Sequence, residues 1–111
     1  MICEAFDVVE VPFPFSDLPK AKMRKALVLS QKEFNQQNGN SILMMLTSAD
    51  YSQWFLDVPI ADLKSAGLKK DCVARVKLFT LDNGLLIKKT GTLSSVDQEK
   101  IKQALQKAIV F

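Results

Sequence analysis

The sequence contains no histidine. That absence removes imidazole acid–base pairs, histidine-based metal sites and every Ser-His or Cys-His nucleophile arrangement. Any chemistry must come from Arg, Lys, carboxylates, hydroxyls and backbone amides. Cysteine is scarce too. Cys3 and Cys72 fit no metal or redox spacing and are expected to be reduced thiols. No apolar run approaches the roughly 18 residues a membrane helix needs, and Ser41 to Leu46 falls far short. The opening Met1-Ile2-Cys3-Glu4-Ala5 has no basic stretch followed by an apolar one, so no signal peptide is expected. A soluble cytoplasmic protein with no membrane partner is the expectation. With 4 Gly and 4 Pro, the composition is neither collagen-like nor disordered.

What remains is an ordinary globular profile, 48% hydrophobic and 24% charged over 111 residues. The length suits one domain spanning the whole chain, with one core. Net charge is +3, too weak on its own to indicate a nucleic-acid partner. Its distribution says more. Lys20, Lys22, Arg24 and Lys25 fall within six residues that contain no acid, and Lys69–Lys70 and Lys88–Lys89 add two basic doublets. Such a cluster either meets a polyanion or is simply solvated surface.

No repeat, linker or low-complexity tract divides the chain. Phe6 to Phe13 is rich in β-formers and stops at Pro12 and Pro14, which fit poorly in a central strand. Ser16 to Lys22 reads as a loop, Ala26 to Ser30 as a short strand, and Asn38-Gly39-Asn40 as a turn. Ser41 to Leu46 is apolar on both faces, as in a central strand. Phe55 to Ile60 alternates, Ala61 to Lys70 reads as a surface connection, and Cys72 to Val76 and Leu85 to Lys89 as further strands. The last of these is entered through the turn former Asp82-Asn83-Gly84. The period then changes: Ile101, Leu105 and Ile109, flanked by Ala104 and Ala108, make one helical stripe expected to face the core. Ser95 with Gln98 matches a capping box, with Ser94 and Asp97 as the competing register. Five or six short strands and a closing helix predict a mainly β fold, a small barrel or strongly curled sheet with the helix packed outside.

Four motifs point further. Phe6-Asp7-Val8-Val9-Glu10-Val11-Pro12-Phe13-Pro14-Phe15-Ser16-Asp17 resembles the first strand and loop of the MazF/PemK-like toxins. Arg24-Lys25-Ala26-Leu27-Val28-Leu29-Ser30 is similar to the family's Arg-Pro-Ala-Leu-Val-Leu-Ser signature, at the family's spacing. Leu46-Thr47-Ser48 resembles its hydroxyl-bearing motif and Gly91-Thr92-Leu93-Ser94 its C-terminal Gly-Thr-Leu signature. The resemblance runs from about Phe6 to Ile109.

The resemblance implies an SH3-like barrel shared with the Kid and CcdB toxins, with a C-terminal α-helix, usually as a homodimer. It further implies the toxin of a type II toxin–antitoxin pair, cleaving single-stranded RNA without metal or cofactor and leaving a 2′,3′-cyclic phosphate and a 5′-hydroxyl. The family's catalytic Arg and Thr carry over onto Arg24 and Thr47. A guanidinium suits the negative charge that builds on phosphorus as a ribose 2′-hydroxyl attacks, and a hydroxyl adds a hydrogen bond. As a base an arginine is poor, and Asp17 and Asp50 stand near the two motifs in sequence as candidates for that role. Lys20, Lys22 and Lys25 are expected on the RNA backbone, with Ser48, Trp54 and Arg75 as further RNA contacts. Trp54 and Phe55 are of the type that stacks on bases, with core or dimer-interface packing as the other reading. An antitoxin peptide with acidic side chains facing the basic loop is the expected protein partner.

The chain departs from the family at two places. Lys25 stands where the signature has Pro, which frees the backbone next to Arg24. Where many relatives read Arg-x-Asp, this chain reads Arg75-Val76-Lys77. These departures keep open a catalytically inactive relative that binds RNA or protein, and the shared fold keeps open a CcdB-like inhibitor of DNA gyrase.

Overall fold

The computed structural model describes residues 1–12, 22–49 and 53–110. Strand β1 (Asp7–Pro12), β2 (Met23–Val28), β3 (Asn40–Ser48), β4 (Val58–Pro59), β5 (Cys72–Asp82) and β6 (Lys88–Thr92) form one antiparallel sheet in the order β4-β5-β3-β2-β1-β6. The sheet curls into a half-barrel, and a C-terminal helix, α3 (Ser95–Ala108), closes it.

Both faces of the sheet are covered, which explains why its central strands are apolar without strict alternation. One cluster gathers Val8, Leu27, Met44, Leu46, Ala74, Ile101 and Ala104 beneath α3. The other gathers Cys3, Val9, Val11, Ala26, Val28, Leu43 and Phe79 on the opposite face. Each fully buried Leu, Ile or Val contributes about 1.5–3 kcal/mol, so the two clusters dominate the folding energy.

Helix α3 settles the capping competition in favour of Ser94, whose Oγ accepts from the Asp97 N–H at 3.3 Å. Asp97 is fully buried, and its carboxylate also accepts from the Ala61 and Asp62 N–H groups at 2.9 and 3.0 Å. The 61–62 connection is thereby fastened to the helix start. The helical stripe is correct in Ile101 and Ala104 but not in Ile109. That residue is the C-cap and 38% exposed, because the helix has already ended beneath it.

Other expectations shift at element ends. A short helix, α1 (Lys32–Asn38), precedes β3, and Asn38-Gly39-Asn40 is its exit rather than a hairpin turn. Gly39 takes the left-handed conformation there (φ 67°) and its N–H closes on Asn35 O at 3.1 Å. Asn35 is buried at the centre of a polar network: its amide donates to the Cys3 and Ser30 carbonyls, its side-chain oxygen accepts from Ser30, and its own carbonyl accepts from Asn83. Strand β5 runs well past Val76, because a bulge between Met44 and Met45 of β3 absorbs Val76 and Lys77 and pairing resumes at Leu78. Only Val58 and Pro59 of the Phe55–Ile60 segment form a strand. Asn83–Leu85 is a 3-10 turn, so the last strand starts at Lys88 rather than Leu85. Within the Ala61–Lys70 connection lies a single helical turn, α2 (Leu63–Ala66), capped by Asp62.

Candidate active site

In the β2–β3 pair, Ala26 stands opposite Met45 and Leu27 opposite Met44. The β2–β3 ladder ends there; two residues further along each strand, alternation turns Arg24 of β2 and Thr47 of β3 to the same face of the sheet as Ala26 and Met45. Arg24 is exposed and Thr47 half-buried. Among the described residues, the Arg24 guanidinium has no carboxylate within ion-pair distance. The face continues onto β5, where Val73 lies opposite Thr47 and Arg75 opposite Met45.

Arg75 is built differently. Its side chain is only 7% exposed, and it donates to Asp57 through two nitrogens, Nε to Oδ1 at 3.1 Å and Nη2 to Oδ2 at 2.9 Å. The guanidinium also lies over the Trp54 ring, 5.1 Å from its centroid. Asp57 reaches back to the same tryptophan, accepting from the Trp54 N–H at 2.9 Å, while the Asp57 N–H donates to Trp54 O at 3.2 Å. This tight turn holds Leu56 at a positive φ of 73°, a strained conformation for a side chain with a Cβ. Burial pushes the Asp57 carboxyl up, but the hydrogen bonds from Arg75 and Trp54 and the guanidinium charge outweigh it and hold the group below its ordinary value.

Beside this cluster opens a cleft of about 360 Å³, whose walls include Ser48, Gln53, Trp54, Asp57, Pro59 and Val73. Trp54 is 45% exposed, presenting the part of its ring that Arg75 does not cover. Phe55 is 87% exposed, so the core reading of that residue fails; the turn throws its side chain outward. A larger depression of about 580 Å³ lies against α1 between Phe34 and Ile42, at the far end of β3 from Thr47, and has no bearing on this chemistry.

The expected contacts therefore separate. Arg24, Thr47, Trp54 and Arg75 share one face, with Ser48 at the rim of the cleft. Lys22 is exposed just before β2. Lys25 points to the other face, where its Nζ meets Glu10 Oε1 at 2.8 Å, so the residue in place of the family's Pro ties β2 to β1. The hydrogen bond and charge of Lys25 also lower the Glu10 carboxyl. Lys20, Asp17 and Asp50 lie outside the described residues. Asp57 is the residue that sequence reasoning missed: the carboxylate partner of Arg75 comes from 18 positions upstream, across the β4–β5 turn, and no spacing in the sequence announces it.

The family profile described as PemK-like, MazF-like toxin of type II toxin–antitoxin system matches residues 4–109, and so takes in Arg24 and Thr47. The chain belongs to this family. Solved MazF structures share its fold. MazE–MazF (Form-II) from Deinococcus radiodurans superposes with a TM-score of 0.76 at 18% identity, covering 100% of this chain and 98% of that one. The Mycobacterium tuberculosis toxin MazF-mt6 gives 0.74 at 16%, covering 92% and 94%. An endoribonuclease in complex with its cognate antitoxin from a mycobacterial species gives 0.72 at 16%, covering 96% and 92%. No curated protein matches the chain in sequence. Among the described residues of this MazF-like toxin, no helix is long and apolar enough to cross a membrane.

Proposed function

We propose that this MazF-like toxin is a sequence-selective, metal-independent endoribonuclease that cleaves single-stranded RNA and is neutralised by an acidic antitoxin segment. The observation that carries the reading is the juxtaposition of Arg24 and Thr47. An exposed guanidinium with no carboxylate partner among the described residues lies just beyond the end of the β2–β3 ladder, on the same face as a half-buried hydroxyl just beyond that end on β3.

The reaction asks little else of the protein. The ribose 2′-oxygen attacks the adjacent phosphorus as its proton passes to water, the bond from phosphorus to the 5′-oxygen breaks, and that oxygen takes a proton from water as it leaves. The products are a 2′,3′-cyclic phosphate and a 5′-hydroxyl. Arg24 stabilises the charge on the five-coordinate phosphorus by paired N–H donation, and Thr47 Oγ1 adds a donor to the same phosphate. Trp54, steadied by Arg75 and Asp57, offers a ring face to a base next to the cut, and Lys22 holds the backbone. A homodimer and a cytoplasmic setting belong to the same reading, as does the family likeness to MazF proteins solved with MazE.

The test is incubation of the purified chain, and of Arg24→Ala, with a long single-stranded RNA in EDTA, followed by mapping of fragment ends. Discrete cuts ending in 2′,3′-cyclic phosphate, present for the wild type and missing for the variant, are expected. Intact RNA across several substrates would defeat the reading.

A further inference from the structure

The lysine doublets play no part in the site above, and the fold gives three of their members a common place. Alternation along β2 turns Lys25 to the face opposite Arg24. There Glu10 stands opposite Lys25 on one side and Lys88 on the other, making a cross-strand row Lys25-Glu10-Lys88. A cleft of about 350 Å³ opens beside the row, lined by Glu10, Lys25, Leu68, Lys69, Lys70 and Cys72 together with Gly67. The Lys69–Lys70 corner is pressed onto β6 by Gly67: a Cβ there would fall 2.1 Å from Thr90 O, so only glycine lets the corner come this close to the strand that carries Lys88.

The charges of this cleft do not cancel. Glu10 is already matched by Lys25 at 2.8 Å. Lys69 and Lys70 in the lining, and Lys88 beside it on β6, are exposed and form no ion pair among the described residues; Asp71, next to Cys72, likewise stands outside the lining. Lys89, by contrast, pairs with Asp7 at 3.3 Å.

The cleft also lies close to the catalytic groups along the chain's own register. Cys72, in its wall, stands opposite Ser48, the residue after Thr47. Lys25, in the same wall, follows Arg24. The two sites thus occupy opposite sides of the same end of β2, β3 and β5, and a strand that turns over that end meets both.

We propose that the cleft lined by Lys25, Lys69 and Lys70, with Lys88 at its edge opposite Glu10, is a second binding site for the phosphate backbone of single-stranded RNA, holding the length of strand that lies beyond Arg24. This rests on the ribonuclease reading. Compact ammonium groups at separate points favour phosphates of any sequence, and among the described residues the lining holds no aromatic ring to select bases. Continuity with a site that itself receives a phosphate favours RNA over an acidic protein segment.

The test uses the full chain in an Arg24→Ala background, so that binding is read without cleavage. Affinities for a long and a short oligouridylate are measured against salt, before and after adding Lys69→Gln, Lys70→Gln and Lys88→Gln together. Lys25 is left in place because it ties β2 to β1. With about 0.7 lost per phosphate contact on a single strand, the slope of log affinity against log salt for the long RNA should shrink by about 2, and affinity at moderate salt by about tenfold. Short RNA that fills only the Arg24–Thr47 site should bind the same within about twofold. An unchanged slope for the long RNA would overturn the proposal. So would an equal change from Lys100→Gln with Lys107→Gln on α3, or loss of binding to an acidic peptide with RNA binding intact. Cleavage of the short RNA by the chain with Arg24 restored reports on the ribonuclease reading separately, since the slope is read from binding alone.

Discussion

Arg24 and Arg75 lie on one face of one sheet and have opposite surroundings. Arg75 is engaged: two nitrogens donate to Asp57, the guanidinium lies over Trp54, and the side chain is nearly buried. Arg24 is exposed and has no ion pair among the described residues. A guanidinium whose donors are spent on a buried carboxylate serves as scaffold, because taking it away from that partner costs more than a phosphate returns. On the proposed reading, one that faces solvent keeps its donors for the charge that develops in a transition state. The residue type is the same, and the difference in surroundings comes from a carboxylate 18 positions from Arg75.

The comparison can be broken most directly at Arg24. Replacing it with Ala should lower the cleavage rate by about 100- to 1000-fold, as loss of one preorganised donor does, while leaving the melting temperature nearly unchanged. A parallel loss of stability would show Arg24 to be scaffold after all. Asp57→Ala should do the reverse. It takes the Asp57 carboxylate from a nearly buried guanidinium at a cost of about 3 kcal/mol, a fall of roughly 10–20 °C in melting temperature. Below that temperature the cleavage rate should fall far less than for Arg24→Ala, and calorimetry with single-turnover assays would separate the two. Trp54→Ala removes the ring that Arg75 supports. RNA affinity should weaken by about 1 kcal/mol, roughly fivefold, from lost base stacking, measurable by titration of the Arg24→Ala protein with and without the change.

The smallest effect concerns acid. Folding holds the Asp57 carboxyl below its ordinary value, despite the burial that opposes this. A depressed carboxyl contributes stability that is complete above its unfolded value, near 4, and is lost as pH falls through the lower folded one. Melting temperature should therefore decline more steeply below about pH 4 in the wild type than in Asp57→Asn. Equal slopes would mean that the Arg75–Asp57 pair does not carry this share of the acid sensitivity.

Much of the fold was legible because its cues are local. Val8 to Val11, Ala26 to Val28 and Ser41 to Leu46 are short apolar runs that lie within strands of the sheet, and the helical period of Ile101 and Ala104 marks α3. What stayed hidden depended on partners far away in sequence. Helix α1 is too short to show a stripe and is held by Asn35 reaching Cys3 and Asn83. The length of β5 hinges on a bulge facing Met44 and Met45, and Ser94 wins the cap because Asp97 is needed by Ala61 and Asp62. For the site, motif spacing pointed to Arg24 and Thr47, and strand alternation from the Ala26–Met45 pair turns both to one face. The partner of Arg75, the opposite facing of Lys25 and the outward swing of Phe55 became visible only once the strands were paired and the Trp54–Asp57 turn was closed.

The most direct test of the central claim is a double-mutant cycle on single-turnover cleavage of a short RNA, with Arg24→Ala, Thr47→Val and the two combined. If both residues act on one phosphate, their effects will be strongly non-additive, and the double variant will be little slower than Arg24→Ala alone. Full additivity of the two losses, or cleavage by Arg24→Ala at the wild-type rate, would contradict the account.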